Sequence, residues 1–395
     1  MKIRFQLPPR RRAWGPRARV RAWSGLIRPG LALFAGTLVA GRAAAQTADR
    51  PGPVRSEWRT DFESYTVHPD SLVRFGPRDA IPALSDPAFE SQASASTWLE
   101  GREPVVVVSV RGDTRAYPVQ ILMQHDVVND VVGGTPVAVT FCLLCGSAIA
   151  YDRRFDGQVL EFGVAGVLHN SNVVIYDRQT ETFWAQAVGS GLVGRYAGSM
   201  LDFLYAPTLP FAEFRAEYPD APVLSRETGY DRDYGRGRLL DYEDRGPLER
   251  FFRRDVDVRL PAKERVLVID REGEQVAFPF RALAEERVLE ATVAGEPVVA
   301  FWAPGTASIY SERTADGPDV GAAVGFSPVV DGERLRFRPY GEDRFRDRET
   351  ATVWSLSGLA TEGPLAGRRL RQVDEGVHFW FAWAAYRPRT RVVER

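Results

Sequence analysis

The chain has 395 residues, more than one hydrophobic core usually serves, and its formal net charge is −1 at pH 7. That value hides an asymmetry, because the first 45 residues hold ten of the 51 Lys and Arg residues and no Asp or Glu. The remaining chain therefore carries 41 basic against 52 acidic residues, a formal charge of −11. A surface this acidic argues against nucleic acid and anionic membranes as partners.

Residues 1–45 have the pattern of an export signal. An arginine-rich stretch precedes the apolar residues 31–40, and Ala43-Ala-Ala45 follows as a small-residue cleavage site. The apolar stretch is shorter than the roughly 20 residues that a membrane-spanning helix needs. We therefore predict a signal peptide over 1–45 and an exported mature protein, periplasmic or extracellular, with no integral membrane segment after signal removal.

The segments that follow are predicted to be rich in strands. Residues 46–102 are assigned as an N-terminal extension, and residues 105–110 and 137–141 are apolar runs typical of strands buried on both faces. Asp156-Gly157 is a hairpin turn signal before a further strand at 173–176. Residues 119–128 and 210–218 predict only short helices. The pattern predicts a β-rich α+β fold built mainly from antiparallel strands.

Four short motifs recur in the same order in the second half of the chain. Residues 111–118 recur as 271–279, 134–139 as 295–300, 148–153 as 308–313, and 177–184 as 347–354. Four motifs that recur in the same order predict two tandem pseudo-repeats of one unit, the first over 103–200 and the second over 263–395. The connector, 201–262, is too rich in aromatic residues for a disordered linker and is expected to pack across both repeats. Because Trp184 recurs as Trp354, we assign both to the core.

Cys142 and Cys145 are the only cysteines, and they follow directly on the predicted strand 137–141. Two thiols at this spacing can cycle between dithiol and disulfide, since one attacks as a thiolate and the other resolves the mixed disulfide. A purely structural disulfide would join distant segments, because its stabilisation grows with the loop it closes. The second repeat has no cysteine and nothing that matches His125 or His169, so the chemistry is predicted in the first repeat alone.

Three functions stay open for this site. The favoured one is thiol–disulfide redox chemistry by a thiol oxidoreductase, with His125 assisting proton transfer and an unknown exported protein as redox partner. The alternative is a protein that binds or delivers Cu(I) or Zn(II) from a metal donor, with Cys142, Cys145, His125 and His169 as ligands. The third is an exported binding or scaffold module without turnover. No other cofactor is implied. The sequence has no phosphate-binding glycine loop, no Gly-x-Ser-x-Gly motif of the serine hydrolases and no glycine motif for dinucleotide binding.

Six motifs of the chain form a combined pattern: His125-Asp-Val-Val-Asn-Asp130, Cys142-Leu-Leu-Cys-Gly146, Asn170-Ser-Asn172, Tyr176-Asp-Arg-Gln-Thr180, Trp184-Ala-Gln186 and Arg232-Asp-Tyr-Gly235. Together they resemble the motifs of a bacterial family, domain of unknown function 3179. Two positions depart from the family pattern, because Leu143 stands in place of Pro and Asp126 in place of Glu. The resemblance implies membership of the family and carries no settled activity with it.

Overall fold

The computed structural model describes residues 52–394, so the predicted signal peptide, 1–45, lies outside the described residues. Strands make up 40% and helices 12% of the structure, which confirms a β-rich fold with few helices. Within 52–394, no helix has the length and apolar character needed to cross a membrane. The α-helices are Gln92–Ala95 (α1), Val119–His125 (α2), Phe211–Glu217 (α3), Phe280–Glu286 (α4) and Trp380–Tyr386 (α5), and the 3-10 helices are Arg55–Glu57, Pro69–Ser71 and Thr314–Asp316.

The first part of the described chain contributes seventeen strands. They are Val73–Arg74 (β1), Leu84–Ser85 (β2), Phe89–Glu90 (β3), Pro104–Val110 (β4), Asp113–Pro118 (β5), Val127–Val132 (β6), Thr135–Cys142 (β7), Ser147–Asp152 (β8), Arg154–Phe155 (β9), Gln158–Val159 (β10), Phe162–His169 (β11), Asn172–Asp177 (β12), Phe183–Ala185 (β13), Gly191–Val193 (β14), Phe203–Leu204 (β15), Thr208–Pro210 (β16) and Val223–Leu224 (β17).

The second part contributes fourteen more. They are Arg265–Arg271 (β18), Glu274–Pro279 (β19), Val288–Val293 (β20), Glu296–Ala303 (β21), Ala322–Ser327 (β22), Val329–Val330 (β23), Glu333–Arg334 (β24), Phe337–Tyr340 (β25), Arg344–Asp347 (β26), Val353–Trp354 (β27), Ala360–Glu362 (β28), Arg371–Gln372 (β29), Val377–Phe379 (β30) and Arg391–Val392 (β31).

These strands form six larger sheets and two isolated hairpins within the described chain. The first part holds the orders β1-β11-β12-β13-β14, β15-β8-β7-β6-β2 and β16-β4-β5-β17-β3. The second part holds β30-β18-β19-β31, β20-β21-β22-β29 and β25-β26-β27-β28, and the hairpins are β9-β10 and β23-β24. Pairing is antiparallel except for β2 with β6, β5 with β17 and β19 with β31.

Part of the element order occurs twice in the described chain. A hairpin, a helix and three strands follow one another as β4–β5, α2 and β6–β8, and again as β18–β19, α4 and β20–β22. Each of the two helices is followed by a residue in the left-handed conformation, Asp126 at φ 57° and Arg287 at φ 62°. Trp184 and Trp354 are fully buried, and each indole N–H donates to an aspartate, Asp177 or Asp347, at 2.9 Å.

The predicted connector divides into two structurally different parts. Its first part supplies β15, β16, α3 and β17, whose strands pair with β8, β4 and β5. Its second part lies between β17 and β18, contains no regular element, and touches both halves. Phe251 O accepts from Ser171 N–H of the first half, and Asp241 N–H donates to Tyr310 O of the second. One buried cluster joins the cysteines to Phe379 and Phe381 of the second half, so the cysteine turn lies in a core that both halves build.

Candidate thiol site

The two cysteines lie on the tight connection between β7 and β8. Cys142 is the last residue of β7 and pairs with Ser147, the first residue of β8. The Cys145 N–H donates back to Cys142 O at 3.2 Å, which closes the turn. Gly146 adopts φ +61°, a conformation in which glycine avoids the steric cost of a side chain. Both cysteines are free thiols and fully buried.

A second hairpin turn, between β11 and β12, faces the sulfurs. Asn170 and Ser171 have φ values of 51° and 62°, as a two-residue turn with two left-handed positions requires. The carbonyl of Ser171 lies 3.5 Å from Cys145 Sγ and 3.8 Å from Cys142 Sγ. The Asn-Ser-Asn segment therefore forms a turn and also lines the thiol site.

One sulfur receives a hydrogen bond from a side chain that is itself held in place. Asn172 Nδ2 donates to Cys145 Sγ at 3.3 Å and to Gln186 Oε1 at 3.0 Å. The orientation of the amide is set by Ala187 N–H, which donates to Asn172 Oδ1 at 3.0 Å. Gln186 in turn donates to Thr140 Oγ1 at 3.0 Å. This buried network directs an N–H group at Cys145.

Hydrogen bonds from the connector and from the second half fix the backbone of the cysteine turn. Tyr242 Oη donates to Leu144 O at 3.0 Å, and Tyr310 Oη donates to Leu143 O at 2.7 Å. The backbone N–H of Phe379 donates to Cys145 O at 2.8 Å. Three successive carbonyls of the turn are thus bonded by groups distant in sequence, so the position of the thiols depends on both halves.

Lys263 is a functional candidate that sequence reasoning missed. Its Nζ donates to Tyr242 O at 3.0 Å and lies 2.8 Å from the centroid of the Tyr242 ring. Burial lowers the pKa of Lys263 to about 7, and the negative charges of Glu243 and Cys145 oppose that change. The signal was present in the sequence: every other basic residue after Lys2 is arginine, so a lone lysine is itself conspicuous. Unlike arginine, lysine can lose its proton near neutral pH.

The pKa of Cys145 is set by one dominant effect and by two smaller effects in the opposite direction. Burial raises the pKa of the Cys145 thiol well above its ordinary value, and the adjacent Cys142 raises it further. The hydrogen bond from Asn172 and the charge of Lys263 both lower that pKa. The surroundings therefore contain two groups that specifically favour a thiolate at this one sulfur.

The two predicted histidines occupy different surroundings. His125 ends α2 with Nδ1 2.8 Å from Pro82 O and Nε2 2.6 Å from Tyr234 Oη, so neither ring nitrogen bonds a cysteine sulfur. Burial lowers its pKa. His169 is the last residue of β11, two positions before Ser171, and its Nδ1 is 3.0 Å from Tyr386 Oη. Burial, followed by the charge of Arg254, lowers the pKa of His169 to about 4.

The predicted metal ligands are not gathered into one cluster. Among residues 52–394, no group of three or more His, Cys, Asp or Glu side chains is placed to hold a metal ion. The structure brings Cys142 and Cys145 together and places the turn after His169 beside them, while the hydrogen bonds of His125 go to other groups. What the site offers chemically is a dithiol with an oriented amide donor and a lysine.

The family model described as "Protein of unknown function (DUF3179)" matches residues 78–390. The chain belongs to this family. The match covers the elements from β2 to α5 of this DUF3179 protein, including the cysteine turn and the connector. No curated protein and no solved structure matches the chain.

Proposed function

We propose that this DUF3179 protein is a thiol–disulfide redox protein in which Cys145 attacks and Cys142 resolves. The observation that carries the proposal is the hydrogen bond from Asn172 Nδ2 to Cys145 Sγ at 3.3 Å. A thiol that only fills space in the core needs no amide held by a network of its own. A donor held towards sulfur stabilises the thiolate, which is the nucleophilic form.

The proposed reaction uses groups already at the site. The neutral amine of Lys263 takes up the proton that the Cys145 thiol releases, either directly or through water. The thiolate attacks one sulfur of a substrate disulfide, the S–S bond breaks, and the other substrate sulfur leaves as a thiolate that takes the proton from Lys263. The Cys142 sulfur then attacks Cys145 Sγ, and the Cys142 proton passes to the second substrate sulfur as that sulfur leaves. The protein ends oxidised by two electrons and the substrate reduced by two. His125 stays a predicted assistant without a contact to sulfur.

Access to the thiols depends on the connector. Both sulfurs are fully buried, and Tyr242 of the connector bonds the turn directly beside them. A substrate disulfide can therefore reach Cys145 only when this part of the connector moves aside. The proposal also relies on the exported location predicted from residues 1–45, since disulfides persist outside the cytoplasm.

We infer that the second half is a copy of the first that kept the fold and lost the thiols. The shared order of elements and the matching Trp–Asp hydrogen bonds support this inference. The second half then forms part of the thiol site. The backbone N–H of Phe379 and the hydroxyl of Tyr310 each donate a hydrogen bond to a carbonyl of the cysteine turn.

The test is to count thiols and measure their reactivity in the folded protein. Free thiols are counted by alkylation and mass spectrometry before and after treatment with a dithiol reductant, and the potential is measured in glutathione buffers. We expect a reversible Cys142–Cys145 disulfide with a potential above about −300 mV. A lower potential would indicate a structural bond. Stoichiometric bound metal that is lost in Cys142→Ser and Cys145→Ser would instead support the Cu(I) or Zn(II) alternative.

The role of the amide is tested with a matched pair of variants. Asn172→Ala removes the donor to Cys145, whereas Thr140→Val disturbs the same network and leaves that donor in place. A hydrogen bond to a charged group is worth about 1.5–3 kcal/mol, so Asn172→Ala should slow alkylation of Cys145 by roughly 10- to 100-fold. Equal effects of the two variants would show that the network only supports packing.

A further inference from the structure

A cavity of about 170 Å³ borders the cysteine turn without containing either sulfur. Leu143 and Leu144, the two residues between the cysteines, form part of its wall. Phe75, Ile81 and Phe251 are further apolar parts of the lining, contributed by the N-terminal extension and the connector. These five side chains are only partly buried although they pack against the main core cluster, which leaves apolar surface facing the cavity.

One ionisable side chain in this wall has no hydrogen-bond partner. Asp126 lines the cavity and is only 2% exposed. Its backbone is satisfied, since its N–H donates to Leu122 O at 2.7 Å and its carbonyl accepts from Phe141 N–H at 2.8 Å. Its carboxylate, by contrast, accepts no hydrogen bond from any residue in 52–394. Buried polar groups are normally bonded, so an unpaired carboxylate in a cavity wall requires an explanation.

The surroundings of this carboxylate limit what could pair with it. When this carboxyl is ionised it only accepts hydrogen bonds, so its partner must then carry a donor. Arg238 also lines the cavity, and its charge lowers the pKa of Asp126 against the larger effect of burial. Because this arginine already offsets the negative charge, a neutral donor suits the site better than a second cation. Arg238 Nη1 is itself engaged with Met123 O at 3.0 Å.

The volume limits how much of an occupant can be buried in this cavity, which is open to solvent on one side. An enclosed apolar cavity of about 150 Å³ holds benzene, so about 170 Å³ has room to bury a single six-membered ring with one small substituent. We propose that this cavity binds a neutral single-ring phenol, whose ring packs between Leu144 and Phe251 and whose hydroxyl donates to the carboxylate of Asp126. The site goes beyond the proposed redox function and does not depend on it, because neither cysteine lines the cavity.

The experiment compares phenol with toluene, which has the same ring without the hydroxyl. Isothermal titration calorimetry at about pH 8 measures both ligands on the mature protein and on Asp126→Asn. A charge-assisted hydrogen bond is roughly twice as strong as a neutral one, so phenol should bind Asp126→Asn about tenfold more weakly than wild type. Toluene affinity should change by less than about twofold, since the cavity keeps its shape.

Two further variants locate the ligand. Leu144→Trp fills the cavity, and we expect it to abolish binding of both phenol and toluene. The double variant Cys142→Ser/Cys145→Ser should bind phenol with unchanged affinity, which separates this result from the fate of the redox proposal. The phenol site is overturned if wild type binds phenol more weakly than about 10 mM. It is also overturned if Asp126→Asn weakens phenol and toluene equally, or if neither Asp126→Asn nor Leu144→Trp weakens phenol.

Discussion

Replacement of Asp126 by Asn should change how the stability of the protein depends on pH. Asp126 is 2% exposed and has φ +57°, a left-handed conformation that Asn also tolerates. The two side chains have nearly the same size, so the substitution removes the ionisable group with little change in packing. The variant therefore isolates the free energy of holding a carboxylate at this buried position.

The size of the effect follows from the pKa of Asp126. Burial raises this pKa from the ordinary value of 3.8 to about 7, against the opposing charge of Arg238. Between these two values the folded protein keeps the proton that the unfolded chain has released, so the free energy of unfolding falls as pH rises through this range. A thousandfold difference in proton affinity corresponds to about 4 kcal/mol. Wild type should lose up to that amount between about pH 4 and about pH 8.

Urea unfolding of both proteins at about pH 4 and about pH 8 measures the effect. Asp126→Asn lacks this titration, so its stability relative to wild type should increase by about 3–4 kcal/mol between the two pH values. Asp86→Asn is a matched control, because Asp86 also has a left-handed φ, +51°, but is exposed. Because Asp86 is exposed, this variant measures what loss of an aspartate at a left-handed position does without burial. If the difference for Asp126→Asn changes between the two pH values by no more than about 1 kcal/mol beyond that of Asp86→Asn, the buried and unpaired position of this carboxylate is refuted.

Two further predictions concern the thiol site. Gly146→Ala should destabilise the protein by about 1–3 kcal/mol more than Gly157→Ala, because a Cβ at Gly146 would lie 2.9 Å from the Phe379 ring whereas one at Gly157 meets nothing within 4 Å. Both glycines have positive φ, +61° and +74°, so equal losses in urea unfolding would contradict the contact with Phe379. Lys263→Arg should remove an inflection near pH 7 from the rate of Cys145 alkylation, since burial lowers the pKa of Lys263 to about 7 and a guanidinium does not titrate there. Alkylation followed by mass spectrometry across pH tests this, and an unchanged inflection would assign it to another group.

The strands and helices that local patterns predict are largely present. The apolar runs at 105–110 and 137–141 lie within β4 and β7, and the turn signal Asp156-Gly157 joins β9 to β10 with both residues at positive φ. The helix predicted over 119–128 is shorter, 119–125, because Asp126 turns left-handed and β6 begins at Val127. The apolar residues after that point form a strand, since they pair with β7. The spacing of apolar residues in the sequence could not show that β6 pairs with β7.

Only part of the chemistry around the cysteines could be predicted from the sequence. The hairpin that ends one strand at Cys142 and starts the next at Ser147 follows from local pattern, so the location of the dithiol could be predicted. The orientation of His125 could not, because the contacts of its ring with Pro82 and Tyr234 depend on segments far away in the chain. Spacing in a sequence does not give the direction of a side chain at the end of a helix.

The sequence by itself determined the strand-rich class, the family and the position of the cysteine pair, because apolar periodicity, turn signals and a unique Cys pair are local features. Only the tertiary structure decided what surrounds those residues. Asn172 reaches Cys145 because two hairpin turns face each other, and the charge of Lys263 acts on Cys145 because Lys263 packs on Tyr242, which bonds the cysteine turn. Asp126 became a buried, unpaired carboxylate for the same reason. Burial and partner choice result from the packing of distant segments, which no local pattern specifies.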